Sequence, residues 1–126
     1  MNKEVMIKWA EALESGKYQQ AKKKLRIDEN SFCCLGVLCE LYREEKQLGK
    51  WEYIQEFRFS GGNLAFYAFI HPYQDTTIES ANYPLAPVEK WVDLPRETLA
   101  QFAVLNDDQN LPFTEIAKYI RSYCNE

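Results

Sequence analysis
The residues best suited to chemistry are three of the chain's four cysteines, Cys33, Cys34 and Cys39. They fall within the apolar run Phe32 to Tyr42, where Glu40 is the only charge. On a helix turning about 100° per residue they point near 0°, 100° and 240°, so they cannot share one metal ion. There is no Cys-x-x-Cys knuckle, and His71 is the only histidine, so a structural zinc site is not expected. No metal and no cofactor is assigned. Nucleophilic catalysis is the chemistry that remains. Cys33 or Cys34 in a first helical turn would have its thiol pKa lowered by the helix dipole, and His71, after a predicted strand, would be the base. The competing reading is packing, because free cysteine is among the most buried residue types. Packing is favoured, and catalysis by Cys33, Cys34 and His71 stands as the alternative.

A second group of residues suits binding. Residues 1–26 carry seven Lys/Arg against three Glu, although the whole chain is at −4. Lys17, Lys22, Lys23, Lys24 and Arg26 concentrate that charge and could hold phosphates. The bland alternative is a solvated edge or loop guarded by lysines. Trp51, Tyr53, Phe57, Phe59, Phe66, Tyr67 and Phe69 supply more rings than one strand pair needs. Aromatic faces beside cations bind bases by stacking and charge, although one such face is ordinarily core. The candidate ligand-binding residues are Lys22, Lys23, Lys24 and Arg26 for phosphate, and Trp51 and Tyr53 for stacking.

These residues need elements to hold them. Asn2 caps a predicted helix to about Ser15, with Val5, Met6, Trp9, Ala10 and Leu13 on one stripe and Gly16 at its end. Residues 18–27 read as an extended arm or strand, and Asp28-Glu29-Asn30 as a turn. Ser31 is then the expected cap of the cysteine helix, which runs to about Glu45 and is followed by Gly49. Within it, Gly36 is read as a point where another backbone comes close. Trp51, Tyr53, Phe57 and Phe59 share one face of a strand, with Glu52, Glu56 and Arg58 on the other. Ser60 to Asn63 form a turn, and Leu64 to Ile70 a second, almost fully apolar strand, giving a β-hairpin. Residues 71–86 are expected to be a long loop. Pro87 suits the first turn of a short helix to Val92. Asp93 and Pro95 start another helix, with Leu99, Phe102 and Ala103 inward. Asn106 to Asn110 read as a polar break, and the last helix buries Phe113, Ile116, Ala117, Ile120 and Tyr123. The expected fold is α+β, one globular domain over 1–126, with helices around a small antiparallel sheet or hairpin and the buried cysteine helix central.

Composition narrows the function classes. Hydrophobic content of 46% with 14% aromatics describes a folded globule. No apolar run approaches the roughly 18 residues of a membrane span, and the N-terminus does not read as a signal peptide, so no membrane partner is expected and the thiols are expected to be reduced. Asn106 to Asn110 resemble a calcium loop, but Leu111 stands where such a loop needs Gly. Phe113 to Ile120 resemble the first helix of a helix-turn-helix, but no recognition helix follows and the net charge is acidic, which argues against DNA.

Two segments carry a family resemblance. Ser31-Phe32-Cys33-Cys34-Leu35-Gly36-Val37-Leu38-Cys39-Glu40-Leu41 is similar to the Phe-Cys-Cys-Leu-Gly-Val-Leu-Cys-Asp/Glu-Leu signature of a family of small bacteriophage proteins. Leu105-Asn106-Asp107 with Phe113-Thr114-Glu115-Ile116-Ala117 and Ile120 resembles that family's closing Leu-Asn-Asp…Phe-x-x-Ile-Ala-x-x-Ile pattern, and Trp9 to Tyr18 fit its first helix. Gln109-Asn110 depart from it where a glycine is expected. The resemblance covers about half the chain. It implies a viral setting in the host cytoplasm and no particular mechanism. The expected function is therefore a non-enzymatic phage accessory protein that binds and neutralises a host component, either a defence protein or a nucleotide-derived signalling molecule. The alternatives are the cysteine hydrolase above and a component of a larger viral assembly.

Overall fold
The computed structural model describes residues 1–58, 62–72 and 82–125, with the backbone alone at 56–58 and 62–64. Among them are five helices and four strands: α1 (Lys3–Glu14), β1 (Gln19–Gln20), β2 (Ser31–Phe32), α2 (Cys34–Lys46), β3 (Lys50–Arg58), β4 (Gly62–Ile70), α3 (Ala86–Val92), α4 (Arg96–Asp107) and α5 (Phe113–Cys124). The fold is α+β, as expected.

Asn2 caps α1 through its side chain, which accepts from Val5 N, and its amide group also donates to Trp91 O. The α1 stripe Val5, Met6, Trp9, Ala10 and Leu13 packs along Phe113, Ile116, Ala117 and Ile120 of α5. Trp9 is fully buried. Its indole donates to Cys34 O at 2.8 Å, and its ring meets Phe102 edge-on, so one side chain ties α1 to α2 and α4. Arg121 closes the α1–α5 seam with two bonds to Glu14.

The cysteine helix lies at the centre, with Cys34, Leu35, Val37, Leu38 and Cys39 all at 0% exposure. Its cap differs from expectation. Asp28 Oδ1 accepts from Asn30 N and Ser31 N, closing a turn that draws Ser31 into β2, where it pairs with Gln19 of β1. The cap role passes to Cys33, whose Sγ accepts from Gly36 N at 3.4 Å. Gly36 is the close approach expected of it, since a Cβ there would lie 1.8 Å from Leu25 O.

β3 and β4 form the antiparallel hairpin in a register running from Lys50↔Ile70 to Arg58↔Gly62. Gly62 and Asn63 therefore belong to β4 and not to a turn, while Ser60, Gly61 and Phe59 lie outside the described residues. Trp51 and Phe69 face the main core. The opposite face is not simply polar: Ile54, Phe66, Ala68 and Ile70 form a second small apolar cluster. Much of the long loop expected at 71–86, residues 73–81, lies outside the described residues, and 86 already begins α3. Asn106 and Asp107, expected in a polar break, are the last turn of α4.

Candidate functional site
Three of the binding candidates, Arg26, Trp51 and Tyr53, come together where the chain between α1 and α2 doubles back against the hairpin. Residues 25–27 run antiparallel to β2 on one side and to β4 on the other, with bridges from Arg26 to Phe32 and to Tyr67. Tyr67 N donates to Arg26 O at 2.8 Å. This pairing fixes the Arg26 guanidinium over three rings, at 4.8 Å from the centroid of Phe32, 5.5 Å from Trp51 and 4.6 Å from Tyr67. Its Nε and one terminal nitrogen donate to Asp28 O and Glu29 O, each at 2.8 Å. A planar cation held this way stacks and hydrogen-bonds at the same time, which an ammonium cannot do.

Trp51 is half-buried and its indole donates to Glu40 Oε1, which also pairs with Arg43. Tyr53 is 54% exposed and meets Tyr67 edge-on at 5.2 Å. Arg26, Trp51, Tyr53 and Tyr67 thus share one face of the hairpin. Trp51 and Arg26 are largely engaged internally, and Tyr53 with Tyr67 forms the open edge.

Lys22, Lys23 and Lys24 do not join that face. Lys22 and Lys23 are exposed, while Lys24 Nζ lies 4.4 Å from the centroid of Phe66. Successive residues of a strand face opposite ways, so Phe66 and Tyr67 place Lys24 and Arg26 on opposite sides of β4. The lysines form an arm beside the aromatic face. Among the described residues no carboxylate comes within ion-pair distance of any of the three ammonium groups, whereas Lys8, Lys17, Arg43, Lys118 and Arg121 are each paired.

The arm is held by a residue that reading the sequence placed in a loop. Asn106 is fully buried. Its Oδ1 accepts from Gln20 Nε2 at 3.0 Å and from Cys34 N at 3.3 Å, and its Nδ2 donates to Ala21 O and Asp107 Oδ1, each at 2.8 Å. It joins α4, the start of α2 and the arm, so the two segments that carry the family resemblance meet at this side chain. No local sequence signal sets Asn106 apart from the polar residues that follow it.

The thiols are placed for packing. Cys33 is buried, and desolvation pushes its thiol up to about 12 despite the bond from Gly36 N. Burial likewise pushes Cys34 and Cys39 well above the ordinary thiol range. The expected lowering by the helix dipole is outweighed by loss of solvent. His71 is also buried, and its Nε2 shares a hydrogen bond with Tyr42 OH at 3.0 Å. Tyr42 is eight residues beyond Cys34, about 12 Å along the helix axis. His71 lines a cleft of about 450 Å³ with Gly49, Lys50, Ile70 and Pro72, towards the C-terminal end of α2. Cys33 and Cys34 lie at its N-terminal end, with Cys34 Sγ bonded to Phe102 O at 3.5 Å. Among the described residues, no contact brings His71 to Cys33 or Cys34.

No group of three or more His, Cys, Asp or Glu suited to a metal occurs among the described residues, and no described helix is long and apolar enough to cross a membrane. No curated protein and no solved structure matches the chain. Residues 1–124 match the family described as a domain of unknown function, DUF8296, and the chain belongs to that family.

Proposed function
We propose that this chain is a non-enzymatic binding protein that sequesters a phosphate-bearing, nucleotide-like molecule, acting as a phage accessory protein against a host signal. The reading is carried by two features joined through Arg26, which bridges to Tyr67: an open tyrosine pair, Tyr53 on Tyr67, and an arm of three consecutive lysines with no carboxylate partner among the described residues. Stacking on the face of an exposed aromatic ring contributes about 1–3 kcal/mol per base, and unpaired lysines supply the counter-charge for phosphate. Arg26 contributes by holding the rings and arm in place. Burial of the thiols, and the hydrogen bond between His71 and Tyr42, favour binding over catalysis.

The test is a tryptophan and tyrosine fluorescence titration with ATP and with a cyclic dinucleotide at low salt. At least one is expected to bind, with affinity that falls as salt rises. Lys22→Glu with Lys23→Glu, and separately Tyr53→Ala, are expected to weaken binding about tenfold or more. If neither probe binds the wild type, or the variants bind as the wild type does, the reading is wrong.

A further inference from the structure
The lysine arm is bent in an unusual way. Lys23 has a φ of 70°, in the left-handed region that a lysine rarely adopts. Lys24 N donates to Lys22 O at 2.9 Å, closing a three-residue ring around it. A bond from i+2 back to i with positive φ at the centre is a classic γ-turn, the strained form of that turn. Such a bend persists only where its surroundings hold it, and strained positions cluster at ligand clamps.

The restraint comes from α4. Asp107 Oδ1 accepts from Lys23 N at 2.9 Å and from Asn106 Nδ2 at 2.8 Å. Asn106 in turn holds Ala21 O, and Ala21 N donates to Phe32 O. The arm is thereby fixed before the bend and at its centre, and Cys33 N holds Leu25 O beyond it, with Lys22 and Lys23 turned to solvent. Asp107 has a cost in this position, because it adds a negative charge to the arm that would meet a phosphate, although it forms no ion pair with the three ammonium groups. A purely electrostatic design would not place a carboxylate there, whereas a hydrogen-bond acceptor for the Lys23 amide is needed there.

We propose that Asp107 is a positioning residue that locks Lys22–Lys24 in the bent, phosphate-ready conformation through its Oδ1, at some electrostatic cost. This rests on the binding reading above. Two effects of Asp107 oppose each other, and two variants separate them. Asp107→Asn keeps an oxygen acceptor and removes the charge. Asp107→Ala removes both.

The experiment measures ATP affinity at low salt, together with hydrogen exchange of the Lys23 amide, for the wild-type chain and both variants. Asp107→Ala is expected to expose the Lys23 amide to exchange and to weaken ATP binding about fivefold, as for one lost hydrogen bond, even though a repelling charge is gone. Asp107→Asn is expected to keep the amide protected and to bind ATP as tightly as the wild type or more tightly. If Asp107→Ala also binds more tightly, or its Lys23 amide stays protected, the carboxylate is only a charge and the positioning role is overturned. If the wild type binds neither ATP nor, measured in the same way, a cyclic dinucleotide while Asp107→Ala still frees the amide, the binding reading has failed, and the ligand-positioning role falls with it.

Discussion
Gly36→Ala tests the packing of the central helix at one atom. The added Cβ would lie 1.8 Å from Leu25 O, 2.7 Å from Leu25 C and 3.2 Å from Leu25 Cα. Ordinary contact begins at 3.4 Å, so the oxygen alone must move by about 1.6 Å. Leu25 cannot move cheaply. Its side chain is fully buried, and its carbonyl accepts from Cys33 N at 3.1 Å just before α2 begins. The next residue, Arg26, is bridged on both sides to β2 and β4. Overpacking in such a place costs about 1–3 kcal/mol, and losing the Cys33–Leu25 bond about 1 kcal/mol more. Replacing a mid-helix glycine with alanine returns about 1 kcal/mol of helix propensity. The net expected loss is about 1–3 kcal/mol. In urea, with an m-value of about 2 kcal/mol per molar, the midpoint should fall by roughly 0.5–1.5 M with the slope unchanged. A midpoint equal to the wild type, or raised by the propensity gain alone, would refute the contact between α2 and the 25–27 segment.

Further predictions concern the buried polar groups and the thiols. Asn106→Ala strips partners from Cys34 N, Ala21 O and Gln20 at once, so a loss of about 2–4 kcal/mol in urea unfolding is expected, and a loss below about 0.5 kcal/mol would contradict the hub. The thiols of Cys33, Cys34 and Cys39 are raised by burial, so the folded state holds their protons more tightly than the unfolded state. That contribution is complete below the ordinary thiol value of 9.0 and is lost as pH rises towards about 12 for Cys33, with Tyr18 and Tyr83 acting in the same direction. Stability should therefore decline above about pH 9, and these three native thiols should react with iodoacetamide at pH 8 only as fast as the protein unfolds. Rapid modification of Cys33 or Cys34 in the folded protein would revive the nucleophile reading.

The helices were legible because their signals are local. Asn2 precedes a five-residue stripe in α1, and Phe113 to Ile120 repeat at helical spacing in α5, so cap and face could be read in one window. Gly36 was legible because a glycine inside an apolar helix implies a close neighbour, although not which one. The start of α2 was misread because Ser31 and Cys33 compete for the cap. The outcome depends on Asp28 closing its turn and on Gln19 pairing with Ser31 from twelve residues away. Asn106 was hidden for the same reason. Its partners Gln20, Ala21 and Cys34 are 72 to 86 residues distant, and within its own segment it looks like any asparagine in a polar stretch. Among the candidate binders, Trp51 and Tyr53 were placed on one face correctly by strand alternation. That Arg26 joins them while Lys24 crosses to Phe66 depends on the Arg26–Tyr67 bridge, a contact no local pattern encodes.

The proposed binding of a phosphate-bearing ligand at the lysine arm and tyrosine edge can be read as mass. Native mass spectrometry of the chain purified from the cells that express it, before and after incubation with ATP and a cyclic dinucleotide, tests that most directly. Added mass that leaves on denaturation and is absent from the Lys22→Glu, Lys23→Glu, Lys24→Glu variant is expected. A bare chain mass under every condition, identical for wild type and variant, would contradict it.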